Sequence, residues 1–404
     1  MAEFELHHGG PDALGVPTWD FSTNANACGP APLALAAVRA ADVSRYPDPS
    51  GLRLRQALAR LHRVEPARIV LAASASEFIG RLSTAVALAF PGATVQVPVA
   101  AYGDYARAAL ALGLRVRRGP ELAVAAADSA GAVDADVAAS AESPRLLWHT
   151  EPGSPLGQTE APPPLPPGAV LVIDCAYAPL RLQGVAPELP AHAWQLWSPN
   201  KALGLTGVRG AYAIAPELGR VAGAAADASD VSAAAGPASP VWLLERLQAL
   251  APSWPLGAQG VAMLTSWAEP ETQAWVRQSL ATLRDWKERQ LALCAELGWQ
   301  CRPSVTPFFV ARWPAAAAPG APADDPFDAA EPLADHAAAL RATVSQLRQL
   351  RQLGLKLRDT SSMGLPGWVR LSVQPPVAQD ALARLWCQVM PPLPHSPLID
   401  RIPT

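Results

Sequence analysis

The sequence lacks several features that mark large classes of protein. Half of its 404 residues are apolar, yet no uninterrupted apolar stretch is long enough to span a bilayer, so no membrane association is expected. Lys and Arg number 32 against 35 Asp and Glu, a net charge of −3 that predicts no polycationic surface for nucleic acid. The opening residues show no basic segment followed by an apolar one, so a secretory signal is not expected.

Cysteine and histidine are sparse as well. The five cysteines are odd in number and scattered, which is typical of reduced thiols in the cytoplasm rather than of a disulfide framework. The seven histidines show no spacing that suits a metal, so no metal site is predicted. We therefore expect a cytoplasmic protein with neither a membrane nor a nucleic-acid partner.

What the sequence does contain is a regular alternation of strands and helices between residues 69 and 214. The strands are continuous apolar runs, which are typical of a parallel sheet buried on both faces. They are predicted near 69–72, 94–98, 113–117, 145–149, 170–174, 193–197 and 210–214. This pattern predicts an α/β fold whose large domain is doubly wound, with its ligand site at the carboxyl ends of the strands.

The segment from Ser198 to Arg209 lies between two of these strands and holds a single lysine, Lys201. A lysine among apolar neighbours loses hydration and becomes a better nucleophile toward aldehydes, as a Schiff-base lysine requires. Arg209 has a guanidinium fork that suits a phosphate. The same residues are also compatible with a surface loop that carries two ordinary cations.

Three features upstream favour the functional interpretation. The strand at 69–72 leads into small residues and then an apolar segment, Phe78–Phe90, that is predicted to be helical; such a helix start presents N–H groups to a phosphate. Asp174 ends a buried strand, so its carboxylate points into the ligand crevice, and Tyr177 follows three residues later. Tyr102 follows another strand and offers a flat ring. Phosphate donors, a flat ring, an acid and a lysine together describe a pyridoxal phosphate (PLP) site.

With these motifs in place, the chain resembles the fold-type I PLP enzymes, in the branch of histidinol-phosphate aminotransferases and threonine-phosphate decarboxylases. The resemblance runs from about His8 to Val373, with short motifs in the family's order and spacing. It implies a large, doubly wound, mostly parallel domain and a small α+β domain. It also implies that PLP is the cofactor.

The resemblance assigns roles to the motif residues. It implies that Lys201 holds the cofactor covalently, Asp174 pairs with the pyridine nitrogen and Tyr177 bonds the ring hydroxyl, which makes these three the expected catalytic residues. It further implies that Tyr102 stacks on the ring. The expected phosphate ligands are Ser198, Arg209 and the backbone of Ser74, Ala75 and Ser76.

Three positions depart from the family pattern. Ser154 stands where the family has an asparagine that bonds the ring hydroxyl, and we keep it as an expected cofactor contact. Asn200 precedes the lysine where Ser or Gly is usual, and Ala75 with its neighbours replaces an Asn-Gly motif. These departures leave catalytic efficiency and substrate identity open more than cofactor binding.

The amino-terminal region contains His8-Gly9-Gly10 and, further on, the run 20–26. By itself it is an extended arm broken by turn residues, and a disordered terminus is the alternative, although Phe21 is costly to leave in water. The arm resembles that of threonine-phosphate decarboxylases, in which it crosses the mouth of the active site. The resemblance therefore makes His8 and Asn26 candidate substrate contacts.

Tyr46 lies in a Tyr-Pro-Asp-Pro turn, which by itself indicates only a turn. In the related enzymes this tyrosine reaches the cofactor phosphate of the other subunit. The resemblance therefore implies a homodimer with shared active sites.

Two arginines near the carboxyl end are candidate substrate ligands. Arg370 lies mid-strand among apolar residues, where it needs an anion, and a substrate carboxylate suits its fork better than an internal salt bridge. Arg358 is a candidate for a substrate phosphate, with an exposed surface cation as the alternative.

These elements divide the chain into segments. We assign residues 1–45 to the arm and part of the small domain, 46–285 to the large PLP-binding domain and 286–390 to the small domain. An Ala- and Pro-rich stretch at 313–330 is predicted to be an exposed insertion, and 391–404 a loose tail.

The leading functional hypothesis is PLP-dependent decarboxylation of a small phosphorylated amino acid, O-phospho-L-threonine, to (R)-1-amino-2-propanol phosphate in cobalamin biosynthesis. The first alternative is an aminotransferase for histidinol phosphate or an aromatic amino acid. The second is a PLP-binding protein with little or no turnover. The scissile bond is the one held perpendicular to the cofactor ring, and the sequence does not fix that orientation.

Overall fold

A computed structural model of the chain describes residues 8–119, 143–217, 239–313 and 333–390. Most of the predicted insertion, from residue 314 to 330, and the predicted tail at 391–404 lie outside these ranges. Within them, none of the helices combines the length and the apolar character needed to cross a bilayer. The same ranges contain no group of three or more His, Cys, Asp or Glu residues that could hold a metal ion.

A seven-stranded sheet forms the centre of the large domain, with the strand order β2-β8-β7-β6-β5-β3-β4. The strands are β2 (Ile69–Ala72), β3 (Thr94–Val97), β4 (Arg115–Arg118), β5 (Leu146–Thr150), β6 (Val170–Asp174), β7 (Trp194–Trp197) and β8 (Ala211–Ile214). The predicted, mostly parallel α/β sheet is confirmed, and each strand lies within two residues of its predicted position. The exception in direction is β8, which runs antiparallel to both β2 and β7.

Helices cover this sheet and lead into the small domain. They are α1 (Pro32–Arg39), α2 (Leu52–His62), α3 (Ala75–Ala89), α4 (Gly103–Ala111), α5 (Pro240–Ala249), α6 (Ala258–Trp267), α7 (Pro270–Glu296), α8 (Leu333–Gln352) and α9 (Pro376–Val389). Helix α3 begins at Ala75 rather than at the predicted Phe78, because the Ser74 hydroxyl caps it by accepting a hydrogen bond from the Glu77 N–H at 3.1 Å. The extra turn brings the small residues at positions 74–76 to the start of the helix.

The small domain is built on a four-stranded antiparallel sheet with the order β12-β13-β10-β9. Its strands are β9 (Gln300–Cys301), β10 (Phe308–Arg312), β12 (Arg358–Asp359) and β13 (Val369–Ser372). The amino-terminal arm joins this part of the molecule, because β1 (Trp19–Asp20) pairs in parallel with β11 (Leu355–Lys356). The long helix α7 connects the large domain to the small one.

Trp313 corrects one boundary drawn from the sequence. It was predicted to open the exposed insertion, but its side chain is only 1% exposed. Its ring packs against Trp299 and Trp386, with centroids at 5.2 and 4.9 Å, and its indole N–H donates to the Gln346 amide oxygen at 2.6 Å. Burial of an indole that also keeps a hydrogen bond is favourable, so Trp313 belongs to the core of the small domain.

Two large apolar clusters hold the site in place. One lies between the sheet and helices α3, α4 and α5, and contains Phe78, Tyr105 and Leu243. The other joins the arm, helices α1, α2, α6 and α7 and the small domain, with Phe21 and Phe308 among its fully buried members. The carboxyl edge of the sheet lies where the large domain, the arm and the small domain meet.

Lys287, in the middle of α7, is a buried cation inside this framework. Its Nζ donates hydrogen bonds to the main-chain carbonyl oxygens of Ser304 and Thr306. Burial lowers the pKa of Lys287 to about 8.

The unfolded chain retains the Lys287 proton up to about pH 10.5, whereas the folded protein releases it near pH 8. In this window the unfolded state binds more protons, so the free energy of unfolding should rise with pH, by at most about 1.4 kcal/mol per unit. Urea denaturation across the window should show this rise in the wild type and a smaller one in Lys287→Met. Parallel stability curves for the two proteins would contradict it.

Candidate active site

A cavity of about 260 Å³ opens at the carboxyl edge of the large sheet, between the large domain, the arm and the small domain. All but two of the site residues predicted from the sequence line it: His8, Ser74, Ala75, Ser76, Tyr102, Ser154, Asp174, Tyr177, Ser198, Lys201, Arg209, Arg358 and Arg370. The two that do not are Asn26 and Tyr46. The fold thus gathers residues from both ends of the chain around one space.

Asp174 supplies the acid. It ends β6 and is buried, and its two carboxylate oxygens are both held by donors. Oδ2 accepts a hydrogen bond from the Tyr105 hydroxyl at 2.7 Å, and Oδ1 accepts one from the Ala176 N–H at 2.9 Å. Burial raises the pKa of Asp174, while the positive charge of Lys201 and the two hydrogen bonds oppose that rise.

Lys201 is set apart from the other lysines by its surroundings. The sequence contains three lysines, and all three lie in the described ranges. Lys287 is bonded to two carbonyl oxygens, and Lys356 is bonded to the Asp12 carboxylate and the Gly10 carbonyl oxygen. Lys201 alone among the three lines the cavity, with Nζ 5.6 Å from the centre of the Tyr177 ring. An aldehyde-bearing cofactor in this cavity therefore has one lysine amine to react with among the described residues.

The loop that carries Lys201 is braced by the residue before it. The main-chain carbonyl oxygen of Asn200 accepts a hydrogen bond from the Leu205 N–H at 2.8 Å. The side-chain Nδ2 of Asn200 lies 3.5 Å from the Val208 carbonyl oxygen. Asn200 is buried and lines the cavity. The asparagine at this unusual position thus closes the turn between Lys201 and Arg209.

One end of the cavity has the features of a phosphate site. The first turn of α3 faces it with Ser74, Ala75 and Ser76, and the N–H groups at a helix start attract anions. The buried Ser198 hydroxyl has no hydrogen-bond partner among the residues that the structure describes, and Arg209 also lines the space. A phosphate here would satisfy the orphaned hydroxyl, so this end fits the phosphate of PLP.

Tyr102 provides the flat ring. Its hydroxyl donates to the Asp104 carboxylate at 2.7 Å and lies 3.1 Å from the Ser76 hydroxyl. Its ring meets that of Tyr105 edge-on, with centroids at 5.7 Å and planes at 87°. Burial raises the pKa of Tyr102, so its hydroxyl is neutral and the ring is fixed by neutral and charge-assisted hydrogen bonds.

The opposite wall of the cavity carries two buried arginines. Arg358 and Arg370 are direct partners in the antiparallel pair β12–β13, so their side chains leave the sheet on the same face. Arg370 donates to the Ser154 hydroxyl and to the Ser22 carbonyl oxygen, each at 3.3 Å, while its buried Nε has no partner within the described part of the chain. Burial lowers the pKa of Arg370. Two cations side by side at a cavity wall suit an anionic ligand.

The arm forms a third wall, with His8, Gly9 and residues 22–24 facing the cavity. A Cβ at Gly9 would lie 2.4 Å from the Ser22 carbonyl oxygen, so only glycine allows this close backbone contact. A buried ion cluster fastens the arm to the small domain. Asp12 accepts from Arg351 at 2.7 and 2.8 Å and pairs with Lys356 at 3.0 Å.

Asn26 and Tyr46 do not line the cavity. The Asn26 amide instead donates to the Ala202 carbonyl oxygen at 3.1 Å and to the Ser279 hydroxyl at 2.7 Å, which ties the arm to the Lys201 loop and to α7. In this structure Asn26 therefore braces the arm, and its contact with a substrate stays a prediction. Tyr46 is 79% exposed and stacks on Trp254 with centroids at 4.5 Å, so any role at an active site requires a second subunit.

Two residues that sequence reasoning missed also belong to the site. Asn24 lines the cavity, and both of its buried amide atoms lack a hydrogen-bond partner in the described ranges. Tyr105 lines the cavity too and is bonded to Asp174. Tyr105 lies three residues after Tyr102, a spacing that places both on one side of a helix start and could have signalled it. Asn24 shares its motif with Asn26, but a tight turn between Thr23 and Ala25 separates the directions of the two side chains.

Comparison with known proteins agrees with this geometry. The model of the family "Aminotransferase class I and II" matches residues 18–386. Histidinol-phosphate aminotransferase 1 of Thiobacillus denitrificans is 30% identical over 210 residues, 48% of this chain and 52% of that protein. Histidinol-phosphate aminotransferase 2 of Ralstonia nicotianae is 29% identical over 373 residues, 87% of this chain and 83% of that protein. The chain spans only about half the length of the first of these relatives.

Solved structures share the fold. Histidinol-phosphate aminotransferase from Sinorhizobium meliloti, in complex with PLP, aligns with a TM-score of 0.67 at 20% identity over 91% of this chain and 89% of that one. L-threonine-O-3-phosphate decarboxylase from Porphyromonas gingivalis aligns with a TM-score of 0.61 at 17% identity over 90% and 97%. The family match agrees with two features of the cavity, its lysine and the end that fits a phosphate. The chain is a PLP-dependent enzyme of the class I and II aminotransferase family.

Proposed function

We propose that this protein is an aminotransferase whose amino substrate carries a phosphate or a second acidic group, as histidinol phosphate does. The observation that supports the substrate class is the buried pair Arg358 and Arg370, which faces the same cavity as Lys201. The support for the reaction type is that the matched relatives are histidinol-phosphate aminotransferases. PLP, when bound, supplies an electron sink for negative charge at the substrate carbon.

The residues of the chain divide the work by position. The Lys201 amine would hold the cofactor and move the proton at the substrate carbon, Asp174 would hold a proton on the ring nitrogen, and Tyr102 would fix the ring plane. Tyr177, beside Lys201, would bond the ring hydroxyl. Arg370 would bind with its planar fork a carboxylate, which for histidinol phosphate is that of the acidic partner substrate, glutamate or 2-oxoglutarate.

The anionic part of the substrate would lie between the arm and the small domain. Arg358 would receive the phosphate, and the unpartnered Asn24 amide would donate to it. His8, on the same wall, would contact the substrate as well. Ser154 bonds Arg370 at 3.3 Å, so we assign it to orienting that arginine as well as to the cofactor.

A second candidate is decarboxylation of O-phospho-L-threonine in cobalamin biosynthesis. The observation that favours it is the arm, whose His-Gly-Gly segment and residues 22–24 line the cavity. The fold shared with the Porphyromonas gingivalis decarboxylase is compatible with it. In the decarboxylation, Arg370 would bind the carboxylate that leaves as CO₂, whereas histidinol phosphate has no carboxylate and leaves Arg370 to bind that of the acidic partner substrate.

Tyr46 supports a homodimer in this proposal. An exposed tyrosine stacked on the half-exposed Trp254 presents an aromatic surface that a second subunit would bury. The Tyr46 hydroxyl would then contribute to the cofactor phosphate site of that subunit. The five free cysteines are compatible with the cytoplasmic location that we propose.

The deciding experiment incubates the PLP-loaded protein with histidinol phosphate plus 2-oxoglutarate and, separately, with O-phospho-L-threonine. We expect glutamate in the first reaction, because the relatives carry out that transfer. CO₂ and (R)-1-amino-2-propanol phosphate in the second, without glutamate in the first, would replace the proposal by the decarboxylase. Neither product from a protein that binds PLP would favour the binding protein with little turnover.

Lys201 can be tested without a substrate. Borohydride reduction of the PLP-loaded protein should attach the cofactor to the peptide that contains Lys201, as seen by mass spectrometry, because that amine alone among the three lysines lines the cavity. Lys201→Ala should lose both the label and the yellow colour. Lys287→Met is the matched control and should keep them; label at Lys287 or Lys356 would contradict the assignment.

Arg358 can be tested by comparing a phosphorylated substrate with its dephosphorylated analogue. Arg358→Met should lower kcat/KM for the phosphorylated compound by about tenfold to a hundredfold, because a charge-assisted contact is lost, and change the analogue little. Arg289→Met, which removes an exposed partner of Asp380, is the control. An equal loss for both compounds would exclude Arg358 as the phosphate ligand.

A further inference from the structure

Tyr105 links the flat ring of the site to its acid. Its hydroxyl donates to Asp174 Oδ2 at 2.7 Å, and its ring meets Tyr102 edge-on at 5.7 Å. We propose that Tyr105 is a positioning residue, which keeps the Asp174 carboxylate ionised and aimed at the ring nitrogen of the cofactor. The inference rests on the proposed role of Asp174 toward that nitrogen.

Packing fixes the ring of Tyr105 so that its hydroxyl points toward Asp174. It is fully buried and lies flat against Trp148, with centroids at 4.5 Å and planes 10° apart. The Thr150 hydroxyl lies 3.5 Å away, at the end of the neighbouring strand β5. The hydroxyl cannot swing away from Asp174 without unstacking the ring, so the hydrogen bond is a fixed part of the site.

This hydrogen bond acts on the charge of the acid. Tyr105 and the Ala176 N–H bond Asp174 directly, and Lys201, Tyr102 and the thiol of Cys175 interact with its charge without a hydrogen bond. Burial favours the protonated acid, whereas the two donors and the lysine favour the carboxylate. A carboxylate that already accepts a hydrogen bond from Tyr105 is a weaker base. It therefore leaves the shared proton on the ring nitrogen, where the electron sink needs it.

Helix α4 is thereby connected to the chemistry of the site through two side chains. Tyr102 precedes the helix and Tyr105 lies in its first turn, while Asp104 between them accepts from the Tyr102 hydroxyl. The start of α4 therefore fixes the ring plane through one tyrosine and the acid through the other.

The test uses Tyr105→Phe, with Tyr212→Phe as a matched control. Tyr212 is equally buried, but its hydroxyl lies 2.6 Å from His62 Nε2 and accepts from the Trp267 N–H at 3.0 Å, outside the cavity lining. The readouts are the PLP dissociation constant of the apoprotein and the nitrogen-15 resonance of bound PLP labelled at its ring nitrogen.

Tyr105→Phe should weaken PLP binding by about tenfold and move the nitrogen-15 resonance toward that of the unprotonated ring. Tyr212→Phe should lower the melting temperature and leave both readouts at the wild-type value. Placing 4-aminophenylalanine at position 105 restores a hydrogen-bond donor where the Tyr105 hydroxyl lies, so this variant should recover the wild-type resonance. It also provides the test if Tyr105→Phe folds poorly.

A wild-type resonance and affinity in Tyr105→Phe would overturn the inference, as would equal losses in the two Phe variants. Neither readout requires a substrate. If both activity assays failed, the proposed reactions would be wrong, but the Tyr105 experiment could still be interpreted. An unprotonated ring nitrogen in the wild type would instead overturn the proposed role of Asp174.

Discussion

The buried carboxylate of Asp174 is the constraint on which the rest of the site depends. A carboxylate at the end of a fully buried strand is stable only where donors and cations surround it. Tyr105 and the Ala176 N–H supply the donors, and Lys201 supplies the cation from the loop after the neighbouring strand. These groups meet because the parallel strands β3, β6 and β7, which they follow in the chain, end at the same edge of the sheet.

The cavity is electrically polarised by the way the two domains meet. The large domain contributes Asp174 on one side, whereas the small domain contributes Arg358 and Arg370 on the other. A cofactor with a protonated ring fits the acidic side, and a substrate with anionic groups fits the basic side. Both arginines are buried, so an anion beside them is less screened by solvent than it would be beside surface cations.

Much of this arrangement could be predicted from the sequence, since buried parallel strands are continuous apolar runs and their ends mark the site. The direction of β8 could not, because an apolar run is the same in either direction. Which of Asn24 and Asn26 lines the cavity depends on one tight turn. The hydrogen bond from Tyr105 to Asp174 depends on how α4 lies relative to β6. The burial of Trp313 could not be predicted from the composition of the stretch it opens, because its partners, Trp299 and Trp386, lie outside that stretch.

The buried cluster of Asp12, Arg351 and Lys356 makes the amino-terminal arm and the carboxyl-terminal strands interdependent in protein design. Asp12 is separated from both cations by more than three hundred positions, yet its loss would leave two buried cations without their counter-charge. A chimaera that exchanges the carboxyl-terminal strands for those of a relative therefore has to exchange the amino-terminal arm with them, because the carboxylate and its two cations come from the two exchanged parts.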